Sequence, residues 1–325
     1  MLKVKFVDYP ECDVIDITLN ILKEEFGEVQ VCDDPDFLFY SVFGHEHLKY
    51  NCVKIFWTGE NIQPDFNICD YAIGFSDITY EDRYRRIPLY YFYLEDYAKA
   101  RKKHTISESE IVKKTKFCNF VYSNGYASPE REHFFDLLST YKFVDSGGRF
   151  RNNIGKFIDD KYEFQREYKF SIAFENSSMN GYTTEKILQA FSAGTIPIYW
   201  GNPEVVRDFN EKAFINCNSY SNFSEVIDVI RKIDNDDELF RKYIREPIGN
   251  DEQFPEDALK AYRTYIIEIC KQKPSDAIRR SNILRGASYQ NEMKAAFFPV
   301  KTNRIKLFVK KVYKKFKTVK NKWLK

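Results

Sequence analysis

Short apolar runs and one helical pattern alternate along the first hundred residues. Four runs rich in Val, Ile, Phe and Tyr have the length and composition of strands. They lie at residues 3–7, 37–43, 53–57 and 70–75. Between the first two runs, Leu19, Leu22 and Phe26 recur at helical spacing before Gly27 interrupts the pattern. This order predicts a parallel sheet covered by helices, and a further strand-to-helix passage is predicted after Pro88.

A second block with the same alternation follows a charged stretch. Residues 99–116 contain no large aromatic side chain, so we place the domain boundary there. Beyond it, a strand is predicted at 116–124 and a helix at 129–141. The composition, 43% apolar and 17% aromatic, is sufficient for two cores. The predicted organisation is two α/β domains and a C-terminal segment, at residues 1–112, 113–275 and 276–325.

Residues 168–200 form the clearest unit of the chain. A buried strand, a helix and a second strand follow one another, which is a βαβ unit. Thr183 or Thr184 can cap the start of the helix, and Gly194 stands at its end. Two successive α/β blocks predict two Rossmann-like domains facing a central cleft, where the carboxyl ends of the strands gather ligands. Further helices are predicted at about 223–245 and 256–271.

Charge is distributed unevenly along the 325 residues. The net charge is +2, yet residues 301–325 contain 11 Lys or Arg and no acidic residue. The preceding 300 residues hold 39 basic and 48 acidic side chains. A nucleic-acid binder would normally carry its basic surface on the folded domain, so we expect no nucleic-acid partner.

The basic end of the chain has an amphipathic pattern. On a helix spanning about residues 303–324, the apolar side chains fall within an arc of about 100° and nearly all Lys and Arg lie outside it. Such helices lie in the plane of anionic membrane surfaces. We therefore expect a protein that is peripheral on the inner face of the cytoplasmic membrane. The alternative is a helix that packs on the body of the protein.

The cysteines and the apolar runs bear on the compartment. Seven cysteines are scattered without a CxxC pair, which predicts reduced thiols in a cytosolic protein. The first residues lack the apolar core of a signal peptide, and no run of about 18 apolar residues occurs anywhere. No membrane-spanning segment is therefore expected.

Three short motifs imitate metal sites. DPD at 34–36 precedes a strand, and DND at 234–236 stands at a predicted helix start, so neither is taken as a metal-binding DxD motif. HEH at 45–47 has no third ligand nearby and is expected to be an extended surface segment. No metal site is predicted.

The loop of the βαβ unit, residues 175–186, is polar and leads to a helix N-terminus. Such an end presents unpaired N–H groups and a partial positive charge, which suit an anion such as pyrophosphate. Lys186 in the first turn opposes the helix dipole by about 0.3–1 kcal/mol, a conflict that a bound anion would remove. Glu185 is an ordinary residue for a first turn, so a purely structural loop stays open on spacing alone.

The string FENSSMNGYTTEKILQAFSAGTIPIYWGN, within residues 174–216, resembles the donor-binding motif of the α1,3/4-fucosyltransferases, family 10 of the glycosyltransferases. The likeness is strongest to bacterial members that build Lewis-type antigens. Further similarity lies at residues 56–75, 82–91 and 144–153. The resemblance covers most of residues 53–220 and implies the two-domain GT-B architecture, which agrees with the two α/β blocks.

The resemblance also implies which residues bind the donor. Asn176, Tyr182, Glu185 and Lys186 would contact GDP-fucose, with Lys186 on the phosphates and Glu185 on ribose or fucose hydroxyls. Arg131 matches the family's phosphate-binding arginine, and its planar guanidinium suits phosphate oxygens.

Glu60 is the implied catalytic base. It follows the predicted strand KIFW through Thr58 and Gly59, so it should lie at the carboxyl rim of the first sheet. Inverting transfer needs a carboxylate to deprotonate the acceptor hydroxyl as it attacks C1 of fucose. Position alone would favour an ordinary surface glutamate, and it is the TGEN match that favours the base instead.

The family likeness leaves the acceptor open. The leading expectation is O3 of GlcNAc in Galβ1,4GlcNAc, giving a Lewis x type product on a glycan such as a lipopolysaccharide O-antigen. No metal cofactor is implied, although Mn²⁺ or Mg²⁺ could stimulate by screening GDP. One alternative is an inverting GT-B enzyme for another nucleotide sugar. A second is a non-catalytic module that binds glycans or membranes.

Overall fold

The first sheet contains six parallel strands within residues 1–249 and 256–299, the part of the chain that the computed structural model describes. They are β1 Leu2–Val7, β2 Val29–Val31, β3 Phe37–Tyr40, β4 Val53–Trp57, β5 Tyr71–Gly74 and β6 Tyr84–Arg86. Their order across the sheet is β2-β1-β3-β4-β5-β6. Strands β3, β4 and β5 are buried along their whole length, as their nearly continuous apolar sequences require.

The second sheet is also parallel throughout. Its strands are β7 Lys116–Phe120, β8 Val144–Ser146, β9 Tyr168–Phe174, β10 Ile196–Trp200 and β11 Ile215–Asn216. Their order is β11-β10-β9-β7-β8, so the βαβ unit at residues 168–200 lies at the centre of the sheet. The register pairs Phe170 with Ile196 and Phe174 with Trp200.

Helices cover both sheets. The early ones are α1 Val14–Phe26, α2 Leu94–Arg101, α3 Glu108–Val112, α4 Glu130–Tyr141, α5 Lys161–Gln165 and α6 Glu185–Ser192. The later ones are α7 Phe223–Asp234, α8 Asp237–Arg245, α9 Glu256–Cys270, α10 Pro274–Ala277 and α11 Leu284–Phe297. Within the described residues, no helix is both long enough and apolar enough to cross a membrane.

Side-chain caps fix several helix starts. Ser107 and Glu110 form a reciprocal capping box at α3, inside the segment that was assigned as the domain boundary. Asn222 caps α7, and Asp236 accepts bonds from the first N–H groups of α8. The predicted helical region at 223–245 is therefore two helices, because Asp236 starts a new one.

Two segments cross between the domains. Helix α9 packs its Tyr262, Ile266 and Ile269 into the apolar core of the first sheet. The predicted second domain extends to residue 275, yet the apolar face of this helix covers the first sheet. Conversely, α2 packs on α6 of the second domain, where Ser192 Oγ donates to Asp96 Oδ1 at 2.8 Å.

The segment that begins at residue 276 also binds to the first domain, through Arg279 and Arg280. Arg280 and Asp70 form an ion pair with both side chains fully buried, and the backbone N–H groups of Arg279 and Arg280 donate to Asp70 Oδ1. The expected amphipathic helix at about 303–324 lies outside the described residues. It therefore remains a prediction.

One element differs from its predicted type. The passage after Pro88 was expected to begin with a strand, but residues Leu89–Phe92 form a 3₁₀ helix that leads into α2. The sixth strand, β6, ends earlier, at Arg86. Pro88 has no backbone N–H to donate to a neighbouring strand, so the ladder does not continue past it.

Candidate active site

A cleft of about 940 Å³ lies between the two sheets, at the carboxyl ends of their strands. Residues after β1, β3 and β4 line it from the first domain, and residues after β7, β8 and β9 line it from the second. This is where parallel α/β folds place their ligands. The structure brings all six of the predicted site residues to this cleft: Glu60, Arg131, Asn176, Tyr182, Glu185 and Lys186.

The loop between β9 and α6 is organised around Glu175. Its side chain is fully buried and accepts hydrogen bonds from Thr184 N at 2.7 Å and Thr184 Oγ1 at 2.6 Å. Lys186 Nζ donates to it at 3.3 Å. Burial raises the pKa of Glu175, although the Lys186 charge opposes this. Glu175 therefore fixes both the start of α6 and the position of the lysine.

Lys186 lies between two carboxylates. Its Nζ is 3.3 Å from Glu175 Oε2 and 3.4 Å from Glu185 Oε1. Burial lowers the pKa of Lys186, but the two glutamates outweigh burial and the net pKa is raised, so the side chain is an ammonium at neutral pH. Burial raises the pKa of Glu185, and Lys186 and Lys161 lower it by more. The first turn of α6 thus holds a fixed set of charges.

Thr184 occupies the N-cap position of α6, as predicted, but its side chain does not cap the helix. Its hydroxyl bonds Glu175 instead. The N-cap side chain therefore binds none of the first N–H groups of α6, and the Glu175 carboxylate accepts from the Thr184 N–H at this end.

Arg131 lies at the start of α4 with 1% of its surface exposed. Its Nη1 donates to the Asn124 carbonyl at 3.2 Å, and its Nη2 to Asn176 Oδ1 at 2.5 Å. The guanidinium carbon is 4.2 Å from the centroid of the Tyr122 ring. Its Nε is buried without a partner, and among the described residues no carboxylate lies within 4 Å of it. A buried, uncompensated guanidinium lining a cleft is a strong feature for binding an anion.

Glu60 approaches from the first domain. It is half-buried in the turn after β4, where its backbone N–H donates to Thr58 Oγ1 at 2.9 Å. The Glu60 charge is one of the neighbours that raise the pKa of Tyr182, after burial and Glu175. The predicted base and the predicted donor loop therefore face each other across the cleft.

Two comparisons of sequence decide the family. Residues 111–273 match the Glycosyltransferase family 10 (fucosyltransferase) C-terminal region. Residues 4–93 match the Alpha-(1,3)-fucosyltransferase FucT N-terminal domain. The chain belongs to glycosyltransferase family 10.

Known relatives agree with this family 10 assignment. An alpha-(1,3)-fucosyltransferase FucT of Helicobacter pylori is 40% identical over 245 residues, which cover 66% of this chain and 50% of that protein. The chain thus spans about half the length of this curated relative.

Solved structures agree as well. A crystal structure of an alpha1,3-fucosyltransferase superposes with a TM-score of 0.75 at 30% identity, covering 87% of this chain and 93% of the other. One with GDP-fucose gives 0.72 at 29% identity, covering 86% and 93%. The predicted GT-B architecture is confirmed.

The two domains of the family 10 chain meet beside the donor loop. Gly181 has φ of +82°, and a Cβ there would lie 2.4 Å from the Phe75 carbonyl oxygen of the first domain. The rings of Phe75 and Tyr182 meet edge to face at 5.1 Å. Asn61 Nδ2, next to Glu60, donates to Ser177 Oγ at 2.6 Å. These contacts set the distance between Glu60 and the loop that precedes α6.

Sequence reasoning missed several residues that line or support the family 10 cleft. Glu175 stands inside the motif but was not singled out. Lys161, from α5, reaches the cleft and donates to Gln189 Oε1 at 2.7 Å. Gly148 allows the chain to pass against the Tyr122 backbone, which a Cβ would approach to 2.1 Å. Its sequence signal was the Gly147-Gly148 pair, which predicts a turn but not a close approach.

Two of the three motifs that were not taken as metal sites have structural roles in this family 10 chain. Asp234 accepts bonds from Tyr141, Lys142 and Lys169, and Asp236 caps α8 as expected. His47 differs from the expected surface segment: it lies in a 3₁₀ helix, bonds Asp8 at 2.7 Å and stacks on Tyr40. His47 leaves the surface because its ring is stacked on that of Tyr40. Within the described residues, no group of three or more His, Cys, Asp or Glu could hold a metal ion.

Proposed function

We propose that this family 10 chain is an inverting fucosyltransferase that moves L-fucose from GDP-β-L-fucose to a hydroxyl of an oligosaccharide. One observation carries the proposal: Arg131 and Glu60 line the same cleft from opposite domains. Arg131 is a buried guanidinium without an acidic partner within the described residues. The names of its relatives, alpha-(1,3)-fucosyltransferases, support the same donor and linkage.

The second domain would hold the donor. Arg131 and Lys186 offer N–H groups to the pyrophosphate, and the N-terminus of α6, whose N-cap side chain makes no cap bond, adds its partial positive charge. Asn176 fixes the Arg131 side chain at the floor of the cleft. Glu185 and Tyr182 are then the groups nearest the sugar hydroxyls. The proposed reaction requires no metal, and Mn²⁺ or Mg²⁺ would act only as stimulants.

The first domain would activate the acceptor. The acceptor oxygen attacks C1 of fucose from the face opposite GDP, the bond between C1 and the phosphate oxygen breaks, and the acceptor proton passes to Glu60. Arg131 and Lys186 stabilise the leaving diphosphate as its charge increases. One displacement converts the β-linked donor into an α-L-fucoside.

The proposed acceptor is O3 of GlcNAc in Galβ1,4GlcNAc, within a glycan such as a lipopolysaccharide O-antigen. Phe43, which follows β3 and lines the cleft, is 54% exposed and offers an apolar face to a sugar ring. Incubation with GDP-fucose and with type 1, type 2 and lactose acceptors, followed by location of the new linkage, tests this choice. Fucose on O4 would contradict the 1,3 linkage.

A donor panel tests the chemistry. We expect turnover with GDP-fucose and little with GDP-mannose or UDP-galactose; preference for another donor would favour the alternative GT-B enzyme. A chain that binds GDP and glycan without turnover would favour the non-catalytic alternative.

Glu60→Gln removes the proposed base. We expect turnover to fall by about 10² or more, the usual scale of general-base catalysis, while the Kd of GDP stays unchanged. Glu211→Gln, an exposed glutamate far along the chain, is the matched control. Near-normal turnover of Glu60→Gln would assign the base elsewhere.

The proposed location is the inner face of the cytoplasmic membrane, with residues 303–324 as the anchor. Removal of residues 301–325 should release the protein from anionic vesicles and preserve turnover on a soluble acceptor. Unchanged vesicle binding would contradict the anchor.

A further inference from the structure

A second cavity, of about 250 Å³, lies outside the donor cleft. It is enclosed by the end of α2, the segment at residues 102–114, helix α5 and the C-terminal end of α6. The first turn of α6 lines the donor cleft, whereas Ser192, Ala193 and Gly194 line the second cavity. At 1.5 Å per residue, α6 separates the two cavities by about 12 Å.

The lining of the second cavity is strongly basic. Among the described residues that line it, the only acid is Glu110, which is engaged in the capping box of Ser107. Arg166 pairs with Glu163 at 3.2 Å. Within the described part of the chain, no carboxylate lies within 4 Å of any of the five lysines that line the cavity: Lys99, Lys102, Lys103, Lys113 and Lys114.

Two of these lysines are buried. Lys103 is 3% exposed and donates to the Tyr243 carbonyl at 3.0 Å. Lys114 is 5% exposed and donates to the carbonyls of Arg166 at 2.9 Å and Ala193 at 3.1 Å. Because an ammonium has three donors, these carbonyls leave both groups incompletely bonded. Burial lowers the pKa of each to about 7, and a neighbouring cation contributes in both cases.

A structural role accounts for only part of this cluster. Lys103 and Lys114 hold carbonyls at the ends of α8 and α6, which suits cations at helix C-termini. Lys102 and Lys113 are exposed at the rim, and no such hydrogen bond from their ammonium groups to a carbonyl is found within the described residues. Like charges this concentrated repel one another, and an anion in the cavity would convert the repulsion into attraction.

We propose that this basic cavity binds a small anion of the phosphate class, either a free phosphate or pyrophosphate or the phosphate of a lipid headgroup. Its volume is below the range of about 300–1,000 Å³ typical of drug-sized ligands, so a whole nucleotide is excluded. This proposal does not rest on the proposed fucosyl transfer, since the basic cavity shares no lining residue with the donor cleft.

The test is a calorimetric titration of the full chain with inorganic pyrophosphate, with GDP saturating the donor cleft. We expect one saturable event, whose affinity falls at least tenfold in Lys102→Glu/Lys113→Glu. The control Lys212→Glu/Lys232→Glu changes the net charge equally at exposed lysines elsewhere and should retain binding. No saturable event, or equal loss in both variants, would overturn the proposal.

A competition distinguishes the two sources of phosphate. If the ligand is a lipid headgroup, phosphatidylglycerol vesicles displace the pyrophosphate, and phosphatidylcholine vesicles do not. If it is a free anion, neither vesicle competes. Either result supports the site, provided that the Lys102→Glu/Lys113→Glu variant has lost its affinity for pyrophosphate.

The pH profile gives an independent measurement, with sulfate as a probe that does not titrate in this range. Sulfate affinity should fall at least fivefold from pH 6 to pH 8.5, because the two buried amines lose protons through a pKa of about 7. A flat profile would exclude them from the site. The other charged groups facing these amines are Lys99, Lys102, Lys113, Arg166, Glu110 and Glu246.

Discussion

Arg131 combines two properties that a single substitution can separate. In the free protein its guanidinium is almost fully buried and, among the residues that the structure describes, bonded only to the neutral oxygens of Asn124 and Asn176. In the proposed complex it pairs with the pyrophosphate. Arg131→Met keeps much of the side-chain volume and removes the charge. It should therefore weaken GDP binding strongly while changing the stability of the free protein little.

The change in the free energy of unfolding caused by Arg131→Met is a small difference between two opposing contributions. Losing two hydrogen bonds from a charged donor costs about 3–6 kcal/mol, and removing a buried, unpaired charge restores several kcal/mol. The free energy of unfolding without ligand should change by at most about 2 kcal/mol. Losing one partner of a buried charge pair costs about 2–5 kcal/mol of binding, so the Kd of GDP should rise by about 30-fold to 4,000-fold.

Arg83 is a matched control in the first domain. It is 5% exposed, and its guanidinium donates to three backbone carbonyls, those of Asp70, Phe66 and Cys69, each at 2.8 Å. Arg83→Met should lower the free energy of unfolding by about 2–5 kcal/mol and leave the Kd of GDP unchanged. Denaturant unfolding and calorimetric titration of GDP measure both quantities. If Arg131→Met behaved like Arg83→Met, Arg131 would be a structural residue and the donor site would need another phosphate ligand.

Two further predictions concern the frame of the cleft. Gly181→Ala should raise the KM for GDP-fucose severalfold, because the new Cβ would collide with the Phe75 carbonyl as well as strain a φ of +82° by about 1–3 kcal/mol. Gly27→Ala, with φ of +70° and nothing near its Cβ, controls for strain alone, and equal effects on KM would contradict the collision. Asp70→Asn should lower the free energy of unfolding by about 3–5 kcal/mol, measured by denaturant unfolding, because it leaves the buried Arg280 charge without its partner. A loss below about 1 kcal/mol would contradict this reasoning.

The parts of the fold that the sequence predicted are those with local signals. The βαβ unit at residues 168–200 was predicted because a seven-residue apolar strand, a polar loop and a helix pattern follow one another. The six site residues were predicted through the family motif, and the structure brings all of them to one cleft. Their individual roles remain predictions that the variants test.

The parts that the sequence did not predict depend on distant partners. Helix α9 has an ordinary helical pattern that does not tell which sheet it covers, and only its contact with the first core assigns it. Glu175 looks like any acid after a strand; its role comes from Thr184 and Lys186, which fold back onto it. His47 was misjudged for the same reason, because Asp8 lies far from it in sequence.

The crossing of α9 has a consequence for synthesis on the ribosome. About 170 residues separate the end of β6 at Arg86 from the start of α9 at Glu256. The ribosome adds about 5–20 residues per second, so about 9–34 s pass between the synthesis of β6 and that of the helix that covers the first sheet. During that time the surface formed by Ile55, Tyr71 and their neighbours lacks its cover. The nascent chain is therefore a candidate client for chaperones, and fragments that stop before α9 should aggregate rather than fold.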